Sequence, residues 1–288
     1  MRILLSADKA DSHYTAGKPV LIVHQRVLSF AGAICQLIYQ LKLAWTGSVS
    51  EGWRRSAERT WHEMKILFSS DIHGLDNAYV QFARSLHDNF DVGVLSGDML
   101  YDELTEDESE RIFPSGAPTD FLIRGLTVRE QEIRKILNTS EKPIFLIPGN
   151  HDLTEWQSQG NITNISNRRV ERDGLNFVGY RYTVLDRSFE DIRIDMLKLD
   201  PLVDENTILV THSPPYGTLD ANPEFGGTLS LGLEGLKHIV ERRKPLYHLF
   251  GHIHAAAGVA GNAINGAYPL IYCFCGIDTD TQEIRTVR

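Results

Sequence analysis

Five short polar blocks, each directly after an apolar run, constrain this chain more than any other feature of its sequence. In order they are Asp-Ile-His-Gly (71–74), Gly-Asp (97–98), Gly-Asn-His-Asp (149–152), Thr-His-Ser-Pro-Pro (211–215) and Gly-His-Ile-His (251–254). The apolar runs have the length of β-strands, and helical patterns lie between them, which is typical of an α/β fold. Because ligands of open α/β sheets bind outside the carboxyl ends of the strands, the blocks are predicted to converge on one site.

The periodicity of the apolar residues gives the positions of the elements. Between 161 and 182 the pattern becomes short and turn-punctuated, which predicts inserted antiparallel strands. The run Leu270–Cys275 predicts a buried strand near the C-terminus, in which Cys273 and Cys275 are small hydrophobic residues without a ligand role. The strand-like runs are 65–69, 91–95, 143–147, 206–210 and 245–250, and the helical stretches are 78–86, 127–137, 189–199 and 231–242.

The residue types in the blocks are those of a transition-metal site. Imidazole nitrogens with carboxylate and amide oxygens suit Mn, Fe or Zn, whereas an all-oxygen site would suit Mg or Ca. Side chains alternate with period two in an extended segment, so Asp71 and His73 are expected to point the same way, as are His252 and His254. Two ions about 3.5–4 Å apart, bridged by an Asp, can clamp the attacking and leaving oxygens of a phosphoryl displacement.

Together the blocks resemble the calcineurin-like metallophosphoesterase superfamily, whose pattern runs D-x-H, G-D, G-N-H-D/E, a lone His after a strand, and G-H-x-H. The resemblance covers residues 71–254. It implies an α/β four-layer sandwich of two mixed β-sheets flanked by helices. It also implies hydrolysis of a phosphate ester that depends on two divalent metal ions, with a metal-bridging hydroxide as the nucleophile. The block 211–217 resembles bacterial and archaeal phosphodiesterase-like members, which favours a small phosphodiester over a phosphomonoester.

The resemblance implies a role for each matching residue. His151 is expected beside the substrate, where it stabilises the phosphoryl oxygens or protonates the leaving group. Asp98 is expected to bridge the two ions and is therefore needed for catalysis. The remaining ligands would be Asp71, His73 and His254 for the first ion and Asn150, His212 and His252 for the second.

Residues outside these roles have simpler interpretations. Asp152 is expected either to orient a neighbouring imidazole or to begin a helix suggested by Leu153–Gln157. His87, His238 and His248 lie in helical or strand patterns where packing accounts for them. Even His212, taken alone, fits a hydrogen-bonded structural histidine, so the metal site rests on the five blocks together.

The first 63 residues differ in composition from the rest. They hold eight Lys/Arg and five Asp/Glu, a balance of +3, against 21 and 33 in the remainder, a balance of −12. Apolar residues at helical spacing in Val27–Trp45 predict one amphipathic helix, and the polar residues that interrupt it argue against a transmembrane span. Residues 1–63 are expected to form an accessory or poorly packed extension, with interfacial membrane contact as an alternative. Residues 64–288 are expected to form the catalytic domain, and Met64 is predicted to be the natural start.

Charge and cysteine content limit the partners. A net charge of −9 disfavours a protein that coats nucleic acid, and three cysteines fit a reducing cytoplasm. Six carboxylates within 102–110 predict a solvated loop, or alternatively a gate that disfavours long polyanions. Substrate selection is expected from the loops 99–125 and 214–231. Two alternatives to a small-molecule phosphoesterase are a nuclease of the same superfamily and a non-catalytic scaffold on the same fold.

Overall fold

The computed structural model of the chain describes residues 63–100, 119–184, 186–221, 230–268 and 272–288, with only the backbone given for 119–123. The predicted extension and its amphipathic helix lie outside the described residues, apart from the last residue of the extension. The acidic run 102–110 and the central part of the loop 214–231 lie outside them as well.

The described residues form strands and helices in alternation along most of the chain. The described residues also include two 3₁₀ turns. Asp200–Leu202 follows the helix Phe189–Leu199, and His254–Ala256 begins at the last residue of the fifth block. The helices are α1 (Asp76–Asn89), α2 (Thr119–Asn138), α3 (Phe189–Leu199) and α4 (Glu234–Arg243). The strands are β1 (Lys65–Ser69), β2 (Val92–Ser96), β3 (Ile144–Ile147), β4 (Ile162–Asn164), β5 (Arg169–Arg172), β6 (Leu175–Tyr180), β7 (Thr207–Thr211), β8 (Tyr247–Phe250), β9 (Gly258–Ala260), β10 (Ala263–Asn265), β11 (Phe274–Asp278) and β12 (Ile284–Val287).

The strands pair into two mixed sheets. The first has the order β12-β11-β1-β2-β3-β4 and is parallel from β1 to β4, with β11 and β12 added antiparallel at one edge. The second has the order β5-β6-β7-β8-β10-β9 and is parallel from β6 to β10, with an antiparallel strand at each edge. The blocks after β1, β2 and β3 therefore come from one sheet, and those after β7 and β8 come from the other.

Three apolar clusters show that the two sheets pack face to face between layers of helices. The central cluster joins Phe68 of β1 and Phe145 of β3 to Phe177 of β6 and Leu249 of β8. In a second cluster, α1 and α2 pack against the outer face of the first sheet. A third covers the outer face of the second sheet with α3 and α4. This four-layer arrangement confirms the predicted fold class.

Most predicted elements are observed, but two predictions near the site are wrong. No helix forms at Leu153–Gln157. Of the strands between 161 and 182, only β5 and β6 pair antiparallel, whereas β4 joins β3 and β6 joins β7 in parallel. The C-terminal strand begins at Phe274, directly after Cys273, and both cysteines of that region are buried. None of the described helices has the length and apolar character needed to cross a bilayer.

Candidate metal centre

The five blocks meet at the carboxyl ends of their strands and hold one another through backbone hydrogen bonds. The Asp71 N–H donates to the Gly97 carbonyl (2.9 Å), and the His73 N–H donates to the Asp98 carbonyl (3.0 Å). The Asp98 carboxylate accepts the His151 N–H at 2.9 Å, and the Asp71 carboxylate accepts the His252 N–H at 3.1 Å. The predicted convergence of the blocks is therefore present in the structure.

The first group of ligand-type side chains joins the first block to the last. It consists of Asp71, His73 and His254. The Nε2 atoms of His73 and His254 lie 3.1 Å apart. His254 Nε2 lies 3.2 Å from Asp71 Oδ1, and His73 Nε2 lies 4.0 Å from the same oxygen.

The second group joins both sheets. It consists of Asp98, His212 and His252. His212 Nε2 lies 3.2 Å from Asp98 Oδ2 and 2.9 Å from Asn150 Oδ1. His212 Nδ1 lies 2.8 Å from the Ser96 carbonyl oxygen, to which it donates. With Nδ1 as a donor, a neutral ring, as a metal ligand must be, would direct its Nε2 lone pair towards the two oxygens.

These spacings fit residues that share a cation. Ligand atoms 2.0–2.2 Å from one ion are about 3.0 Å apart in octahedral and about 3.4 Å apart in tetrahedral geometry. The separations of 2.9–3.2 Å around His212 and His254 lie close to this range. In addition, the Nε2 atom of the half-buried His252 is itself buried and has no hydrogen-bond partner among the described residues. A buried lone pair without a partner is costly, and a cation at the second group would satisfy it.

The pKa values of the second group also favour a bound cation. Burial lowers the pKa of His212, but the adjacent Asp98 carboxylate outweighs it and raises that pKa to about 10. Burial opposes ionisation of Asp98, yet the charge of His212 and its hydrogen bond hold the pKa of that carboxyl well below its usual range. A proton on His212 thus stands between Nε2 and the oxygens in the absence of a metal. By contrast, burial lowers the pKa of His252 to about 4 and keeps that ring neutral at pH 7.

The glycines of the blocks allow the backbone to approach these carboxylates. A Cβ on Gly149 would overlap Asp98 Oδ1, and a Cβ on Gly251 would overlap Asp71 Oδ2 and Ser70 Oγ. Any side chain at either position would therefore displace a candidate ligand.

Four candidate ligands adopt a strained backbone conformation. The φ angles of Asp71, His73, Asp98 and His252 are 53°, 50°, 52° and 68°, in the left-handed region that non-glycine residues avoid. Such conformations cost on the order of 1–3 kcal/mol each and cluster at functional sites. Neither D-x-H nor H-x-H is therefore the extended segment that the period-two argument assumed, and its prediction of a common centre is confirmed for the first pair but wrong for the second. Asp71 and His73 do share a group, but His252 and His254 belong to different groups.

His151 lies beside the first group. Its imidazole is exposed, and its ring centroid is 5.6 Å from that of His73 in an edge-to-face arrangement. Because Asp98 accepts its backbone N–H, the position of this residue is coupled to the second group. The ring can therefore reach a molecule held at the first group.

Asp152 has a role that neither sequence interpretation gave. Its carboxylate is buried and accepts the backbone N–H groups of Met99 (3.0 Å), Leu100 (2.9 Å) and Gly149 (2.9 Å). It thereby ties the loop after β2 to the loop after β3. Burial, reinforced by the charge of Asp98, raises the pKa of Asp152 to about 6.

Asn265 is a buried residue of the site that the sequence pattern did not reveal. Its side-chain amide donates to the carbonyl of Ile253 at 2.9 Å and to that of Leu219 at 3.4 Å. The first bond holds the peptide between His252 and His254. The second bond holds the loop that follows His212. An asparagine at the end of a short strand carries no distinctive sequence signal, which explains why it was missed.

Two mixed sheets between helical layers, with His and Asp side chains grouped at the strand ends, define an α/β phosphoesterase fold. The chain matches the calcineurin-like phosphoesterase family (Metallophos) over residues 64–256 and belongs to that family. Solved structures support the fold. One crystal structure is similar with a TM-score of 0.61 at 15% identity, over 79% of this chain and 99% of the other. The crystal structure of TT1561 of Thermus thermophilus is similar with a TM-score of 0.54 at 16% identity, over 78% and 98% of the two chains.

Two proteins of Caenorhabditis elegans share shorter segments of sequence with this chain. UPF0046 protein K07C11.7 is 33% identical over 128 residues, which are 43% of this chain and 42% of that protein. UPF0046 protein C25E10.12 is 42% identical over 57 residues, 19% of this chain and 20% of that protein. The chain therefore spans less than half the length of each of these relatives.

Proposed function

We propose that this chain is a binuclear-metal phosphoesterase that hydrolyses a small phosphodiester, with phosphomonoesters as the second substrate class. The observation that carries the proposal is the pair of ligand groups, Asp71/His73/His254 and Asp98/His212/His252, at the carboxyl ends of strands from both sheets. Family membership supports the phosphoesterase class. The resemblance of the block 211–217 to phosphodiesterase-like members supports the preference for a diester.

The donor atoms determine how the groups would hold two divalent ions. A mixture of imidazole nitrogens with carboxylate and amide oxygens favours Mn, Fe or Zn. Asp98 contacts His212 in the second group, and its backbone carbonyl accepts the N–H of His73 in the first group, so this residue would be the bridge between the two ions. The first ion would take Asp71, His73 and His254, and the second would take Asn150, His212 and His252.

The bound ions would polarise the phosphoryl group and make water a better nucleophile near neutral pH. His151 would contact the substrate, because its exposed imidazole lies beside the first group. Its ring nitrogen would donate a proton to the leaving oxygen or a hydrogen bond to a phosphoryl oxygen. The Asp98 carboxylate would hold His151 in place through its backbone N–H while serving as the bridge.

The charge of the site supports a small anionic substrate despite the acidic surface. Two divalent ions bring four positive charges against the two negative charges of Asp71 and Asp98, so the loaded site carries about +2 before the substrate binds. The catalytic segment as a whole is acidic, with 33 Asp/Glu, including Asp71 and Asp98, against 21 Lys/Arg after residue 63. A long polyanion would meet that acidic surface, whereas a small phosphodiester would meet mainly the ions.

The proposal is tested by comparing bis(p-nitrophenyl) phosphate with p-nitrophenyl phosphate. Chelation should abolish hydrolysis of both, Mn²⁺ should restore it, and the diester should be the better substrate. Asp98→Ala should lower turnover by more than roughly 100-fold, because it removes the bridge. Asp280→Ala is the matched control, since this exposed Asp lies beyond β11, at the opposite end of the sheet. Normal turnover by Asp98→Ala would refute the mechanism, and a clear preference for the monoester would refute the substrate class.

A further inference from the structure

A buried hydroxyl and a buried imidazole lie directly behind His212. Thr211 ends β7, and His248 lies on the neighbouring strand β8, and both side chains are fully buried. The Thr211 hydroxyl donates to the carbonyl of Ser213 at 2.5 Å, and His248 Nε2 lies 2.8 Å from the same hydroxyl oxygen. A hydroxyl has a single proton, which Ser213 takes here, so His248 must be the donor through its Nε2–H. The bonds therefore run in one direction, from His248 to Thr211 to Ser213.

The Thr211 hydroxyl closes the turn that carries His212. The backbone N–H of His212 donates to the Tyr180 carbonyl at 3.1 Å, and its own carbonyl accepts the Gly251 N–H at 3.2 Å. These two bonds hold the peptide laterally between β6 and the fifth block. The hydrogen bond of the Thr211 hydroxyl acts along the chain instead, because it joins the residue before His212 to the carbonyl of the residue after it.

We propose that Thr211 and His248 are positioning residues that fix the direction in which the His212 imidazole points. His212 Nε2 must face Asp98 and Asn150 while Nδ1 keeps its bond to the Ser96 carbonyl. A turn that opened at Ser213 would rotate this ring away from both partners. The inference rests on the proposed function, in which His212 is a metal ligand.

The cost of burying these polar groups supports a positioning role. Val178 and Leu209 belong to the apolar cluster on the outer face of the same sheet. An apolar pair could also have packed there in place of Thr211 and His248. Instead, Nδ1 of His248 is buried with no hydrogen-bond partner among the described residues. Burying such an atom is unfavourable. Packing alone therefore does not explain His248, although its strand pattern suggested that it did.

The test compares three threonine variants of the full chain. Thr211→Val removes the hydroxyl and keeps the shape, whereas Thr211→Ser keeps the hydroxyl. Thr207→Val is the matched control, because Thr207 is equally buried at the other end of β7 and its hydroxyl bonds Asp204 instead. The first readout is the dissociation constant for Mn²⁺ measured by titration calorimetry. The second is the NMR signal of the His212 Nδ1 proton in metal-free protein, which its bond to Ser96 should protect from exchange.

Thr211→Val should bind Mn²⁺ about 10–100-fold more weakly at one of two sites, as is typical when a group that orients a metal ligand is removed. It should also lose the protected Nδ1 proton. Thr211→Ser and Thr207→Val should keep both properties within about threefold of the parent affinity. If Thr211→Val does not fold, His248→Phe removes the ring donor instead and should show the same losses.

The two proposals can fail separately. Unchanged Mn²⁺ affinity and an unchanged Nδ1 proton in Thr211→Val would overturn the positioning role and leave the phosphoesterase proposal intact. A parent protein that binds no Mn²⁺ would overturn the phosphoesterase proposal. The NMR signal of the metal-free variants would still decide whether Thr211 and His248 orient the His212 ring.

Discussion

The buried imidazole of His248 makes a quantitative prediction about stability and pH. Burial lowers the pKa of His248 to about 3, whereas an imidazole in the unfolded chain has a pKa of about 6.5. Below pH 6.5 the unfolded chain therefore binds a proton that the folded chain does not, and the free energy of unfolding falls with pH. One pKa unit corresponds to about 1.4 kcal/mol, so between pH 6.5 and pH 5 His248 should remove about 2 kcal/mol.

The assay is urea unfolding of metal-free protein at several pH values from 7.5 to 5, for the parent and for His248→Asn. The variant removes the titrating ring, so its free energy of unfolding should fall by about 2 kcal/mol less than that of the parent over this range. His238→Asn is the control, because His238 is an exposed residue of α4 whose side chain is 71% accessible. Equal pH dependence in the parent and His248→Asn would refute the burial argument.

Three further substitutions test the site. Gly251→Ala should weaken metal binding, because its Cβ would overlap Asp71 Oδ2. Gly261→Ala should leave calorimetric Mn²⁺ affinity unchanged, because its Cβ meets no atom within 4 Å and the strain of its positive φ of 63° is confined to that turn. His151→Ala should lower turnover without lowering metal content, and equal losses of both would contradict its place beside the substrate. Asp152→Asn should lower the free energy of urea unfolding by about 2–4 kcal/mol, because the charge is lost and the amide keeps only one acceptor oxygen for three backbone N–H groups. A loss below about 0.5 kcal/mol would refute that role.

The sequence predicted the parts of the fold that depend on local apolar patterns. The runs at β1 and α3 have the predicted bounds because their periodicity is strong and turn residues flank them. Pairing across the sheets depends on distant partners, so the parallel contact of β4 with β3 was not predicted. The segment after Asp152 was expected to be helical, but the Asp152 carboxylate binds the N–H groups of another loop instead of beginning a helix.

The candidate site was predictable in its composition but not in its geometry. The five blocks identified the residues that the structure brings into two groups. The alternation argument failed because Asp71 and His252 adopt left-handed backbone conformations that an extended segment does not have. The supporting residues Asn265 and His248 were not identified, because their hydrogen-bond partners are distant in the sequence and come near them only in the folded chain.

The metal content of the purified protein tests the central claim most directly. The protein is purified in buffer supplemented with Mn²⁺, dialysed to remove loosely bound ions and measured by elemental mass spectrometry, with Asp98→Ala treated in parallel. Two facing ligand groups predict about two transition ions per chain, and loss of the shared carboxylate should reduce that number. A parent protein with no bound transition ion, or an Asp98→Ala variant with the full complement, would contradict a binuclear centre.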